Sequence, residues 1–143
     1  MVEQRCWMCE GTADLVNEER EVQIGSRKTV VLDEFFRCAA CGEEFYLPGQ
    51  MDASQIRACE RIRAEDDLLQ SSEIRTIRES LGLTQHDFER LLRVGPKTVV
   101  RWERGTVFQN RATDTLLRVI REFPEAARFL AERSGVSLPR SAA

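Results

Sequence analysis

No apolar run in the sequence approaches the roughly 20 residues needed to cross a bilayer, so a membrane-spanning helix is excluded. The N-terminus also lacks the basic-then-apolar order of a secretory signal, and a cytoplasmic protein is expected. Internal repeats and low-complexity stretches are absent. So is any excess of positive charge, since the formal net charge is −3. That deficit excludes little, because nucleic-acid affinity follows local clusters of Lys and Arg rather than the whole-chain sum. Histidine occurs once, as His86 beside Asp87, and reads as a solvated surface residue rather than a ligand or catalyst.

What is present is cysteine. Five of the 143 residues are cysteines, and in a reducing compartment they serve better as metal ligands than as a disulfide framework. The length suits one ordinary domain or two small ones, and small domains bury proportionally less surface and need a staple. A bound metal or a dimer interface would supply it.

The pattern changes at Pro48-Gly49. Before it, short strands are expected between cysteine pairs, with 21–24 and 28–36 forming a hairpin around Gly25-Ser26-Arg27. After it the periodicity is helical. Ile56, Cys59, Ile62 and Leu69 share one face of a bridging helix that begins near Asp52. Short helices are then predicted over 73–81, 85–92, 96–103, 112–122 and 124–133, and the tail from Ser134 to Ala143 is expected to be loosely held.

Cys6-Trp7-Met8-Cys9 and Cys38-Ala39-Ala40-Cys41 are two C-x-x-C knuckles, followed by the turn-permissive pairs Glu10-Gly11 and Gly42-Glu43. Two residues between thiolates let both sulfurs converge on one ion, and four sulfurs fill the tetrahedron that Zn²⁺ prefers. A filled tetrahedron leaves no place for water, so one structural Zn²⁺ per chain is expected on Cys6, Cys9, Cys38 and Cys41, and an enzyme is not. A redox dithiol would instead sit in a βαβ context. Cys59 lies on the apolar stripe and reads as a small core residue.

The run from Thr84-Gln85 through Gly95-Pro96 to Arg101-Trp102-Glu103-Arg104-Gly105 carries a second signal. Thr84 is a natural N-cap, with Asp87 in the first turn. Phe88, Leu91 and Leu92 give the first helix an apolar face, and Pro96 is expected to open a second helix. On that helix Val99 and Trp102 face the core, leaving Lys97, Thr98 and Arg101 for base edges in the major groove. Gln85, Arg93, Arg104 and Arg111 flank this face and are expected to grip phosphates. The order of residues resembles the Cro and λ-repressor type of helix-turn-helix. It departs from that type at Glu89, where a small residue is usual, and at Arg93, where glycine is; the two, four apart, are expected to form an ion pair. The alternative for the whole face is a set of solvated charges on an ordinary bundle.

Together these signals predict an α+β chain of two domains. Residues 1–70 form a zinc-bound β-hairpin module with a bridging helix, and residues 71–143 form an all-α five-helix helix-turn-helix bundle for DNA binding and dimerisation. Phe123, Ala127, Phe129 and Leu130 supply a dimer surface, with simple packing onto the bundle as its alternative. The two knuckles, the bridging helix and the helix-turn-helix, in this order, resemble the MqsA (YgiT-type) zinc-finger antitoxins over most of the chain. The resemblance implies a type II antitoxin whose zinc module neutralises a small ribonuclease toxin, and whose C-terminal module forms a homodimer on a palindromic double-stranded DNA operator and represses its own operon. It also implies that Arg101 reads the operator, while Lys97 stands where the family has an asparagine. The competing reading is a stand-alone transcription regulator with a structural or metal-sensing zinc module.

Overall fold

A computed structural model describes residues 3–139. The fold is α+β, with a four-stranded antiparallel sheet followed by six helices. The chain divides into two compact units, Met1–Ile62 and Arg63–Ala143. Among the described residues no helix is long and apolar enough to cross a membrane.

The front unit is built on β1 (Gln4–Arg5), β2 (Thr12–Ile24), β3 (Arg27–Cys38) and β4 (Glu44–Phe45), in the order β1-β2-β3-β4. Arg27 pairs with Ile24, so the hairpin connection is the two residues Gly25-Ser26 rather than the expected three. Gly25 takes φ 59°, the left-handed conformation that such tight hairpins require. The expectation of short strands is also corrected, because pairing continues from Ile24 and Arg27 back to Ala13 and Cys38. The extra length was hidden by the acidic residues of β2, which find cross-strand partners. Both Arg37 nitrogens bond Glu18, at 2.9 and 3.1 Å, and Arg37 also reaches Glu44 at 2.8 Å. Arg20 lies 3.7 Å above the centre of the Phe35 ring, which is fully buried. β1 and β4 cover only the knuckle end of the long strands, leaving most of both outer edges unpaired among the described residues.

Helix α1 (Gln50–Glu65) buries Ala58, Cys59 and Ile62 completely. It stops at Glu65, and Asp67 is left-handed at φ 55°. Leu69 is therefore not on the α1 stripe, as its spacing suggested, but in a loop whose side chain enters the core of the rear unit.

The rear unit contains five helices: α2 (Ser71–Ser80), α3 (Gln85–Leu92), α4 (Thr98–Arg104), α5 (Arg111–Glu122) and α6 (Pro124–Ser134). Their apolar stripes close one core around Ile74, Phe88, Leu91, Val99, Trp102, Leu117 and Ala127. Asn110 caps α5 by accepting from the Thr113 amide at 2.8 Å. The tail expectation is corrected as well. Val136 is buried, Leu138 packs against the core, and Pro139 lies against Gly82. Residues 140–143 lie outside the described residues.

Candidate metal centre and nucleic-acid interface

The front site is assembled by two copies of one local device. In the first knuckle the Glu10 amide returns to the Cys6 carbonyl at 2.9 Å, with Glu10 left-handed at φ 63°. In the second the Gly42 amide returns to the Cys38 carbonyl at 3.0 Å, with Gly42 at φ 79°. Each tight turn points amides at sulfur. Met8 N–H reaches the Cys6 Sγ, Gly11 N–H the Cys9 Sγ and Ala40 N–H the Cys38 Sγ, all at 3.4 Å. Pairing of Ala13 with Cys38 brings the two knuckles together at the end of the sheet.

All four sulfurs lie within 4.8 Å of one another, with Cys6 and Cys41 at 3.6 Å and Cys9 and Cys38 at 3.5 Å. Four sulfurs placed about 2.3 Å from one tetrahedral ion would be about 3.8 Å apart, and disulfide-bonded ones about 2.05 Å, so the spacing is that of metal ligands. A side chain at Gly11 would crowd this arrangement. Its first carbon would fall 3.0 Å from Ala40 Cβ and 3.2 Å from the sulfurs of Cys9 and Cys38.

Electrostatics favours the same reading. Amides of Cys41 and Ala40 stabilise the Cys38 thiolate and lower its pKa to about 6. The Glu43 amide also favours the Cys41 thiolate, yet lost solvation and the three neighbouring sulfurs outweigh it and push that pKa up to about 12. The first thiolate forms readily and a later one is opposed by its neighbours, an opposition that a central dication removes. Cys59 is fully buried and is not among the clustered sulfurs.

The rear site is the α3–α4 pair. Thr84 Oγ1 accepts from the Asp87 amide at 3.1 Å, the cap expected from sequence. Two left-handed residues, Arg93 at φ 56° and Lys97 at φ 67°, then turn the chain. The second helix consequently begins at Thr98, and Pro96 lies in the turn rather than at its first position. Glu89 accounts for the late start. Its buried carboxylate accepts from the Val99 amide at 3.0 Å, satisfying an orphan donor at the positive end of α4. The expected Glu89–Arg93 ion pair does not form; the Arg93 guanidinium donates to the Arg133 carbonyl at 3.1 Å instead.

On α4, Val99 and Trp102 are buried, and Lys97, Arg101 and Arg104 are exposed with Thr98 half-buried beside them. Arg101 and Arg104, three apart, share one stripe of the helix, and Lys97 precedes it in the turn. Its single acid, Glu103, is turned inward, with a fully buried side chain. Burial acts to raise the Glu103 pKa, but hydrogen bonds from Arg78 and Arg75 outweigh it and hold the carboxyl below its ordinary range. Gln85, expected at a phosphate, donates to Glu103 at 3.3 Å.

The sequence run 4–130 matches a protein family described as the antitoxin component of a bacterial toxin-antitoxin system, MqsA. The chain belongs to this MqsA antitoxin family. A second similarity falls on antitoxin HigA-2 of Vibrio cholerae serotype O1, 35% identical over 60 residues. That match covers 42% of this chain, which spans 58% of the relative's length.

Several residues that hold the site of this MqsA-family chain carried no sequence signal. Arg63 is fully buried and donates to the carbonyls of Trp102 at 3.3 Å and Val107 at 3.0 Å, meeting the negative end of α4. It also bonds Gln109, which in turn bonds Leu69 and Asp114. Of the apolar residues read as a dimer surface, Ala127 is enclosed in the core and Leu130 packs against it, so the exposed members are Phe123 and Phe129.

Proposed function

We propose that this antitoxin-family chain neutralises a small ribonuclease toxin through its front unit and, as a cytoplasmic homodimer, represses its own operon through its rear unit. The observation that carries the reading is the pairing, in one chain, of a four-sulfur cluster with a short helix whose cations all face outward while its acid faces in. Cys6, Cys9, Cys38 and Cys41 hold one Zn²⁺, which supplies cross-linking and no reaction. On double-stranded DNA, Lys97 and Arg101 donate to base edges and the Thr98 methyl contacts thymine, while Gln85, Arg93 and Arg104 hold phosphates. Phe123 and Phe129 form the dimer contact, and Ala127 and Leu130 fix the helix that presents them. A two-fold dimer requires a palindromic operator with half-sites about one helical turn, or a multiple, apart.

For the toxin, support comes from the outer face of the sheet. Leu15, Val30 and Leu32 are exposed there beside Glu19, Glu21 and Glu34. An apolar face with an acidic surround complements a basic ribonuclease, and the unpaired strand edges can accept an added strand. Affinity purification of the tagged chain from its host, together with footprinting on its own promoter, tests the reading. Capture of a small ribonuclease whose toxicity the chain suppresses, with a protected palindrome, is the expected result. A protected palindrome without any such partner would overturn the antitoxin role and leave a stand-alone regulator.

A further inference from the structure

The front unit holds a cavity of about 590 Å³, lined by the turn end of β2, by Asp33 in the middle of β3, by Tyr46 and by the first turns of α1. No cysteine of the metal centre lines it. Two acids, Asp33 and Asp52, line it together with one base, Arg20, while the Glu21 side chain points to the other face of the sheet. That base is committed elsewhere, since it pairs with Glu44 and lies over the Phe35 ring.

Asp33 is the unusual member. It is 2% exposed, and the Tyr46 hydroxyl donates to its Oδ2 at 2.6 Å, but its Oδ1 has no hydrogen-bond partner among the described residues. Ser54, on α1, is 6% exposed and its Oγ is likewise unpartnered. Buried polar atoms are almost always paired, and a carboxylate oxygen left without a donor is costly. Two residues that carry such atoms line one acidic cavity, and they call for a ligand that brings N–H donors and positive charge. A hard metal ion does not fit that description, because it needs about six oxygens packed at 2.0–2.6 Å, whereas this space is the size of a small-molecule pocket. Val22, Ile24 and Met51 provide an apolar wall along which a methylene chain can lie.

The geometry points to a binding site for an alkyl cation, a guanidinium or primary ammonium on a methylene stem, whose N–H groups donate to Asp33 and Ser54. This site goes beyond the proposed function and stands whether or not the chain has a toxin partner. The cation arrives either as a free amine of the agmatine or polyamine type or as the arginine side chain of a bound protein. Both present the same head group.

Titration of the metal-loaded full chain with agmatine and with the peptide acetyl-Gly-Arg-Gly-amide, followed by amide chemical shifts, tests it. Choline, a cation without N–H donors, is the control. Saturable shifts centred on Asp33, Asp52 and Ser54 are expected from at least one ligand and not from choline. Agmatine binding identifies a free amine as the source, and binding of the peptide alone identifies a protein side chain. Asp33→Asn should weaken binding by about tenfold or more, as loss of a charged hydrogen-bond acceptor does. Should that variant fail to fold, Ser54→Ala carries the same test with a severalfold loss. Failure of both ligands to saturate, equal shifts with choline, or undiminished affinity in the folded variant would overturn the assignment.

Discussion

The carboxylate of Glu103 is the joint that holds the outward-facing helix to the bundle, and its removal is the sharpest test of the structure. It accepts from Arg78 Nε at 2.7 Å and Nη2 at 2.8 Å, from Arg75 Nε at 3.1 Å and from Gln85 at 3.3 Å. Deleting one partner of a buried ion pair costs roughly 3–5 kcal/mol, because the other charge is left without compensation. The Arg75 side chain is 53% exposed and regains water, whereas that of Arg78 is 14% exposed and keeps only the Leu83 carbonyl and the edge of Glu79. The lower end of that range therefore applies, about 3 kcal/mol for Glu103→Ala. A unit of this size, Arg63–Ala143, has a total stability of roughly 4–12 kcal/mol, so the variant loses a large part of it. The midpoint of its thermal transition, followed by far-ultraviolet ellipticity, should fall by roughly 12–24 °C. The charge also sets a pH signature. The folded pKa is depressed, so the contribution is complete above the unfolded carboxyl value of about 4.3 and is lost as pH falls through the folded value. The gap between wild type and Glu103→Gln should accordingly be constant above about pH 5.5 and shrink as pH falls below the unfolded value of about 4.3. A midpoint shift below about 5 °C for the alanine variant, or a gap that widens on acidification, would refute the reasoning.

Four further outcomes are expected. Cys38→Ser should abolish stoichiometric zinc binding and collapse the amide spectrum of the front unit, while resonances of the rear unit persist; an unchanged spectrum with retained metal would contradict the site. Gly11→Ala should weaken metal retention against a chelator relative to wild type, because the added carbon presses on two sulfurs. Arg101→Ala should cost roughly 1–3 kcal/mol of operator binding and relax discrimination at one base pair, whereas Arg104→Ala should weaken all DNA binding and reduce its salt dependence; titrations on operator and random DNA separate them. Phe129→Glu should shift the sedimentation of the chain toward the monomer while leaving its helical content intact, since that ring is exposed and supports no core.

Wherever the governing interaction is short in sequence, the residues announced the structure. Two-residue spacing of cysteines dictates a tight turn that aims sulfur and amides at one point, and the threonine before α3 dictates its cap. The apolar spacing of Phe88, Leu91, Val99 and Trp102 dictates which faces are buried. Legibility failed where a residue's partner is remote. The acids of β2 argue against a strand until the Arg37 side chain of β3 reaches Glu18. Glu89 reads as a partner for Arg93 four residues on, until the Val99 amide takes its carboxylate and delays α4 past Pro96. Glu103, a surface charge by composition, is buried because α2 brings two arginines to it. Local chemistry alone thus determined the knuckles, the caps and the amphipathic faces, since those depend on neighbours a few residues apart. Tertiary structure decided which charges are buried and which strand face is left open, because a buried charge is tolerable only where distant chain supplies its partner.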